Sequence, residues 1–272
     1  MAAWPRWRDE PQRPSARRIA DPHGGDVRMS VCAILLCAGR GERLNAAVPK
    51  AFAPLAGRPL FTWSFEALER CDAVDGIVLV GPVRTLRELL AASGTSTRKL
   101  VATTEGGEQR QHSVARGLHV LPEGCTIVAV HDSARALVSP EVIARAVAEA
   151  REHGAAIAAV PQADTLKQGT LGLVTGTVAR AGLWAAQTPQ VFRRDWLERA
   201  HREATEVATD DAALIEWLGH PVRLSLGEPV NFKITTPVDL ELAEAWLGHR
   251  AAVAAAAANV AAAAAAAKAG GR

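Results

Sequence analysis

Val31-Cys32-Ala33-Ile34-Leu35-Leu36-Cys37, running directly into Ala38-Gly39-Arg40-Gly41-Glu42-Arg43, reads as a strand that stops at a glycine-bearing turn. Seven consecutive apolar residues without polar alternation describe a strand covered on both faces, as in the interior of a parallel sheet. The pattern recurs downstream. Strands are expected at 77–80, 100–102, 126–130 and 156–160, with helical periodicity at 60–71, 83–92, 111–121 and 140–153. Parallel neighbours need crossover connections of helix length, so this alternation predicts an α/β fold: a mostly parallel, Rossmann-like sheet with helices on both faces. Residues 162–182 break the period. They are rich in Thr, Gly and Val, and are expected to leave the sheet as a protruding β-arm. Helices return at 194–204, 210–218 and 236–247, with strand candidates at 222–226 and 231–234.

Composition bounds the function. The chain has 272 residues, 49% hydrophobic and 22% charged, enough for one large globular domain. Its net charge is +2, and the two tails carry the positive excess, because residues 30–248 sum to −3. That balance argues against a nucleic-acid surface built on phosphate neutralisation. Cys32, Cys37, Cys71 and Cys125 show no C-x-x-C spacing, so reduced thiols in the cytoplasm are expected. The polar, proline-interrupted residues 1–29 lack the apolar core of a signal or membrane anchor and are expected to be a disordered leader, with Met29 as an alternative start. Residues 249–272 read as an Ala-rich low-complexity tail, a solvated helix by propensity, leaving 30–248 as the working domain.

The turn after the first strand is the obvious anion site, because ligands of open α/β sheets sit beyond the carboxyl ends of strands and glycine lets backbone N–H groups approach phosphates. Three readings compete there: a dinucleotide fold, a P-loop, and a nucleotidyltransferase loop. A dinucleotide fingerprint wants a third glycine where Leu44 stands, and an acid at the end of the next strand, where the chain has Val80-Gly81-Pro82. No G-x-x-x-x-G-K-[ST] string occurs. What remains is G-x-G-x-R followed by Pro49-Lys50, in a chain with five lysines.

Several separated motifs then fall in one order. They are Ala38 to Arg43 with Pro49-Lys50, Gly106 to Val114 (G-G-E-Q-R-Q-H-S-V), His131 to Arg135 (H-D-S-A-R), Asp164-Thr165, Arg180 to Phe192, Thr209 to Asp211, and Asn231 to Thr235 (N-F-K-I-T). On these motifs, residues 31–248 resemble the 2-C-methyl-D-erythritol 4-phosphate cytidylyltransferase family of the nucleotide-diphosphosugar transferase-like superfamily. The resemblance implies transfer of CMP from CTP to a sugar-alcohol phosphate with loss of pyrophosphate, a step of non-mevalonate isoprenoid precursor synthesis. A sister enzyme for another polyol phosphate, such as ribitol 5-phosphate, would share the activating machinery. A non-catalytic nucleotide-binding relative would have no chemical reason to keep its cations.

The resemblance also implies roles. Arg43 and Lys50 would stabilise the transition state, where charge accumulates on the α-phosphate and the departing pyrophosphate. Ala38, Gly39, Gly41, Gly107, Glu108 and Ser113 would bind the nucleotide, with backbone groups and a hydroxyl reading the cytosine edge. Asp132 closes the strand at 126–130, at the same sheet edge as the glycine turn. It is assigned to Mg²⁺ and to substrate positioning, since Mg²⁺ takes one or two carboxylates plus substrate phosphates. The plainer role for Asp132 is an N-cap for the following helix; His131 is expected to be structural. Arg180 and Lys233 would hold the acceptor phosphate, with Arg135, Thr165, Thr188 and Thr209 in support. Ala136 stands where the family commonly has proline. Thr165 and Arg180 lie on the arm, which in the resembling family reaches across a homodimer into the partner's site. No nucleic-acid or membrane partner is expected.

Overall fold

The computed structural model describes residues 30–39 and 49–270, with side chains through residue 258. In chain order the elements are β1 (Ser30–Leu36), a single 3-10 turn (Lys50–Phe52), the short strands β2 (Pro54–Leu55) and β3 (Arg58–Pro59), α1 (Leu60–Arg70), β4 (Gly76–Val80), α2 (Val83–Ala92), β5 (Leu100–Thr104), α3 (Arg110–His119), β6 (Cys125–Asp132), α4 (Pro140–His153) and β7 (Ala155–Pro161). There follow β8 (Leu166–Thr170), β9 (Leu173–Val178), β10 (Trp184–Arg193), α5 (Arg194–Glu203), α6 (Asp211–Trp217), β11 (Arg223–Leu226) and α7 (Pro237–Gly270).

Seven strands form one sheet in the order β11-β7-β10-β6-β1-β4-β5, parallel throughout except that β10 runs antiparallel to both its neighbours. β1 is interior, as its unbroken apolar run requires. Its side chains alternate between two cores. Val31, Ala33, Leu35 and Cys37 pack under α1, α2 and α4 with Phe61, Phe65 and Val142. Cys32, Ile34 and Leu36 pack under α3, α5 and α6 with Leu118, Leu197 and Ile215. Each fully buried Leu or Phe contributes about 1.5–3 kcal/mol of transfer free energy. The chain steps from β1 out to β4 and β5, then returns to set β6 on the other flank of β1, so the strand order reverses between β1 and β6. Leu36 pairs with Asp132 at that point, and the crevice beyond it is where such sheets bind ligands.

Where local signals are strong, sequence and structure coincide. α4 spans the expected 140–153: the Ser139 hydroxyl accepts from Val142 N (3.2 Å), Pro140 supplies the fixed φ of the first turn, and Gly154 ends the helix at φ 90°. Ser139, not Asp132, is therefore the N-cap of the helix that follows the H-D-S-A-R motif. Residues 162–182 do leave the main sheet, as the β8–β9 hairpin. Its Leu171-Gly172 turn has positive φ at both positions, the two-residue turn that suits twisted strands.

Two readings are corrected. Residues 231–234 form no strand. The segment is irregular and held by specific bonds: Ile234 N donates to Ala134 O (2.8 Å), Asn231 Nδ2 to Thr188 O (2.9 Å), and Arg135 Nη1 to Asn231 O (2.8 Å). Asn231 and Ile234, three positions apart, dock into the body, a spacing that does not fit a pleat. Conversely, β10 carried no strand signal. Pro189 interrupts it where its register with β7 shifts, and Gln187, Thr188 and Gln190 are buried polar residues inside it.

The helix expected at 236–247 continues to Gly270, as alanine's high propensity permits. Asp239 Oδ2 accepts from Thr235 N and Thr236 N while Thr236 Oγ1 accepts from Asp239 N, reciprocal capping that starts it. Ala243 is buried in a small third core with Leu55, Leu60 and Ile234. All four cysteines are buried and free of disulfides. Among the described residues no helix is long and apolar enough to cross a membrane.

Candidate active site

A cavity of about 590 Å³ opens beyond the carboxyl ends of β1 and β6. Ala38, Gly39, Lys50, Gly107, Glu108, Ser113, Asp132 and Lys233, all singled out from the sequence, line it. Gly41 and Arg43 lie outside the described residues.

The loop before α3 approaches the end of β1 very closely. A Cβ on Gly106 would lie 2.1 Å from the Ala38 Cβ, and one on Gly107 would lie 2.4 Å from the His112 Cβ, so neither position admits a side chain without moving backbone. Ser113 ties the loop together: its hydroxyl accepts from Gly107 N (3.0 Å) and donates to Gln109 O (3.1 Å). Arg116 reaches back from the last turn of α3 to the Gly106 carbonyl.

Asp132 is the electrostatic centre. Lys233 Nζ donates to its Oδ2 at 2.7 Å, and Arg110 Nε donates to its Oδ1 at 3.1 Å. Burial alone would raise the pKa of this carboxyl, but the Arg110 and Lys233 charges outweigh it and hold Asp132 well below the usual carboxylate range. Arg110 Nη1 also donates to Asp211 Oδ2 at 2.7 Å. Burial opposes the guanidinium charge, yet the two carboxylates prevail and raise its pKa.

The residue before Asp132 is a brace. Burial lowers the His131 pKa to about 4, so the imidazole is neutral near pH 7. Asp132 N donates to Thr188 Oγ1 (3.1 Å), His131 Nδ1 lies 3.0 Å from the same hydroxyl, and His131 Nε2 lies 3.3 Å from Arg135 O. A single proton arrangement satisfies all three, with the hydroxyl donating to Nδ1 and Nε2–H to the carbonyl. Thr188, expected to support the substrate, is thus buried and engaged in holding the β6 terminus. Arg135 is engaged too. It donates to Asn231 O and to Ala186 O (3.1 Å), pinning the N-F-K-I-T segment and β10.

Arg135, Thr165, Thr188, Thr209 and Arg180 do not line the cavity within one chain. Thr209 is exposed, beside Asp210, whose carboxylate caps α6 through Ala213 N. Thr165 and Arg180 are exposed on the arm, where Arg180 Nη1 donates to Ala163 O.

The structure adds Arg110 and Asp211, to which the sequence reading gave no role. Both lay inside quoted motifs. A signal existed for Arg110: it is the first residue of α3, where the helix dipole disfavours a cation, so only a strong carboxylate partner justifies it.

The family model described as 2-C-methyl-D-erythritol 4-phosphate cytidylyltransferase matches residues 31–249. The Desulforamulus reducens protein named 2-C-methyl-D-erythritol 4-phosphate cytidylyltransferase is 42% identical over 227 residues, covering 81% of this chain and 97% of its own length. The Prochlorococcus marinus protein of the same name is 44% identical over 226 residues, covering 80% and 98%. Among solved structures, the 2-C-methyl-D-erythritol 4-phosphate cytidylyltransferase of Thermus thermophilus superposes with a TM-score of 0.64 at 35% identity, over 79% of this chain and 97% of that one. With its seven-stranded sheet, its crevice at the β1–β6 reversal and the ordered motifs lining it, the chain belongs to the 2-C-methyl-D-erythritol 4-phosphate cytidylyltransferase family.

Proposed function

We propose that the chain is a cytoplasmic, homodimeric enzyme that transfers CMP from CTP to 2-C-methyl-D-erythritol 4-phosphate in non-mevalonate isoprenoid precursor synthesis. An oxygen of the acceptor phosphate attacks the α-phosphorus in line. The bond from that phosphorus to the α–β bridging oxygen breaks, and its electron pair leaves with pyrophosphate. No protein nucleophile is required, so catalysis is positioning and charge stabilisation. The observation that carries the reading is the Lys233–Asp132–Arg110 cluster in one cavity with Lys50 and the Gly106–Ser113 loop. Lys50, with Arg43, would meet the charge that develops on the triphosphate, and Lys233 would face the acceptor phosphate. Gly107, Glu108 and Ser113 would bound the cytosine.

Mg²⁺ fits this donor set in a limited way. Asp132 is ionised and faces the cavity, and each carboxylate oxygen keeps lone pairs beyond its ion pair. Among the described residues no group of three or more His, Cys, Asp or Glu side chains could hold a metal by itself. A cation would thus rest on Asp132 and on phosphate oxygens. Bound there, it would supply neutralisation of triphosphate charge. With purified protein, CTP, Mg²⁺ and 2-C-methyl-D-erythritol 4-phosphate, pyrophosphate release is expected at one per cytidylylated product. Robust release with ribitol 5-phosphate only, and none with 2-C-methyl-D-erythritol 4-phosphate, would refute the substrate.

The arm supports a shared site. Leu171 is 97% exposed and Leu173 and Val174 are exposed beside it, an apolar tip on a hairpin that cannot be stable alone. Arg180 and Thr165 would enter the partner's cavity from there. Equal mixing of Arg180→Ala and Lys50→Ala subunits, each nearly inactive, should recover about a quarter of wild-type activity, because half the random dimers are mixed and each holds one intact site of two. Absence of recovery after confirmed subunit exchange would overturn arm sharing.

A further inference from the structure

We infer that Arg110 is a positioning residue that acts on the transfer reaction through Asp132 and Lys233, an inference that rests on the reading of Lys233 as the acceptor's cation. Arg110 is 29% exposed and lines the cavity, but its donors are turned to protein carboxylates. One of these, Asp211, is 1% exposed and fixed from three sides. Its Oδ2 accepts from Arg110, its Oδ1 lies 3.1 Å from His201 Nε2, and its backbone N donates to Gln190 Oε1 at 3.1 Å. Asp211 is therefore a rigid anchor, and the guanidinium inherits its rigidity.

The other carboxylate, Asp132, receives Arg110 Nε on Oδ1, which fixes its rotation and directs Oδ2 at Lys233. Lys233 needs this help. Its side chain is 42% exposed and it stands on an irregular segment with no strand ladder to steady it. A flexible four-carbon stem bearing a compact charge is held where its partner holds it. The chain of bonds Asp211–Arg110–Asp132–Lys233 joins the first turn of α6, the first turn of α3, the end of β6 and the N-F-K-I-T segment. Arg110 immediately follows the Gly106–Gln109 loop, so one side chain sets the acceptor's lysine in register with the nucleotide's loop. Errors of about 1 Å in such placement cost of order 10²-fold in rate.

The test is a mutant cycle read as kcat and KM. Arg110→Ala is expected to lower kcat about 30- to 100-fold with the KM for CTP changed less than about threefold. In a Lys233→Ala background the same change should have little further effect, since a residue that acts through Lys233 has nothing left to position. Guanidinium ion at millimolar concentration should restore part of the rate to Arg110→Ala, and none to the double variant. Should Arg110→Ala fail to fold, Arg110→Lys takes its place in both backgrounds, keeping the charge but losing the two-carboxylate fork. Additive losses, or an unchanged kcat in Arg110→Ala or Arg110→Lys while Lys233→Ala is crippled, overturn the inference alone. Full activity of Lys233→Ala overturns the reading of the site, and this inference with it.

Discussion

Lys233→Ala is expected to lower kcat by about 10²–10³-fold, the loss typical of removing one preorganised donor from developing charge. The side chain lines the cavity with its ammonium 2.7 Å from Asp132 Oδ2, an orientation set before any substrate arrives. An aligned cation needs no reorganisation as charge builds on the reacting phosphates, so its effect falls on kcat more than on substrate binding. The fold should survive, because Lys233 is 42% exposed and Asp132 keeps Arg110 as counter-ion. Lys233→Arg should recover little, since a planar fork does not reproduce a point charge on a short approach. Steady-state kinetics with both substrates varied separates the cases. A kcat within fivefold of wild type would remove Lys233 from the chemistry.

The second large effect concerns shape. Gly106→Ala is expected to raise the KM for CTP at least tenfold. Its Cβ would sit 2.1 Å from that of Ala38, and neither atom belongs to a flexible side chain, so relief requires the two backbones to part. One backbone ends β1 and the other forms the loop that Ser113 and Arg116 tie down. Their separation would widen the cavity where the nucleotide would be gripped. The clash has a defined cure: Ala38→Gly combined with Gly106→Ala removes one of the two colliding atoms and should return most of the CTP affinity. Gly124→Ala, where a new Cβ meets nothing within 4 Å, serves as control. Titration calorimetry with CTP on all four proteins decides, and equal weakness of the single and double variants would show that contact with Ala38 is not the cause.

The parts of this fold legible in sequence were those with local causes. The continuous apolar run of β1 and the Ser139, Pro140 and Gly154 punctuation of α4 carry their structure with them. β10 does not: a strand containing Pro189 and three buried polar residues is specified by the neighbours it pairs with, none of them nearer in sequence than Trp184 is to Pro161. Residues 231–234 failed for the complementary reason, since the burial of Asn231 and Ile234 comes from docking onto Ala134, Arg135 and Thr188. The site divides in the same way. Motif residues at strand ends, such as Gly39 and Asp132, could be placed from topology. The pairing of Asp132 with Lys233 spans 101 positions, as does that of Arg110 with Asp211, and only folding reveals such bonds. The resemblance assigned Arg135 and Thr188 to the substrate, and a motif match does not reveal that within this chain their donors are aimed at Asn231 O, Ala186 O and the His131 ring.

The place of β10 has a consequence for biogenesis. It lies between β6 and β7, both of which leave the ribosome before it. Until residue 193 has emerged, the nascent chain carries two finished strands with no strand between them, each offering raw hydrogen-bonding edges to other chains. The sheet can close only when this late antiparallel strand slots into the gap, so the segment through β7 must wait, protected or at risk of aggregation, until β10 has been translated.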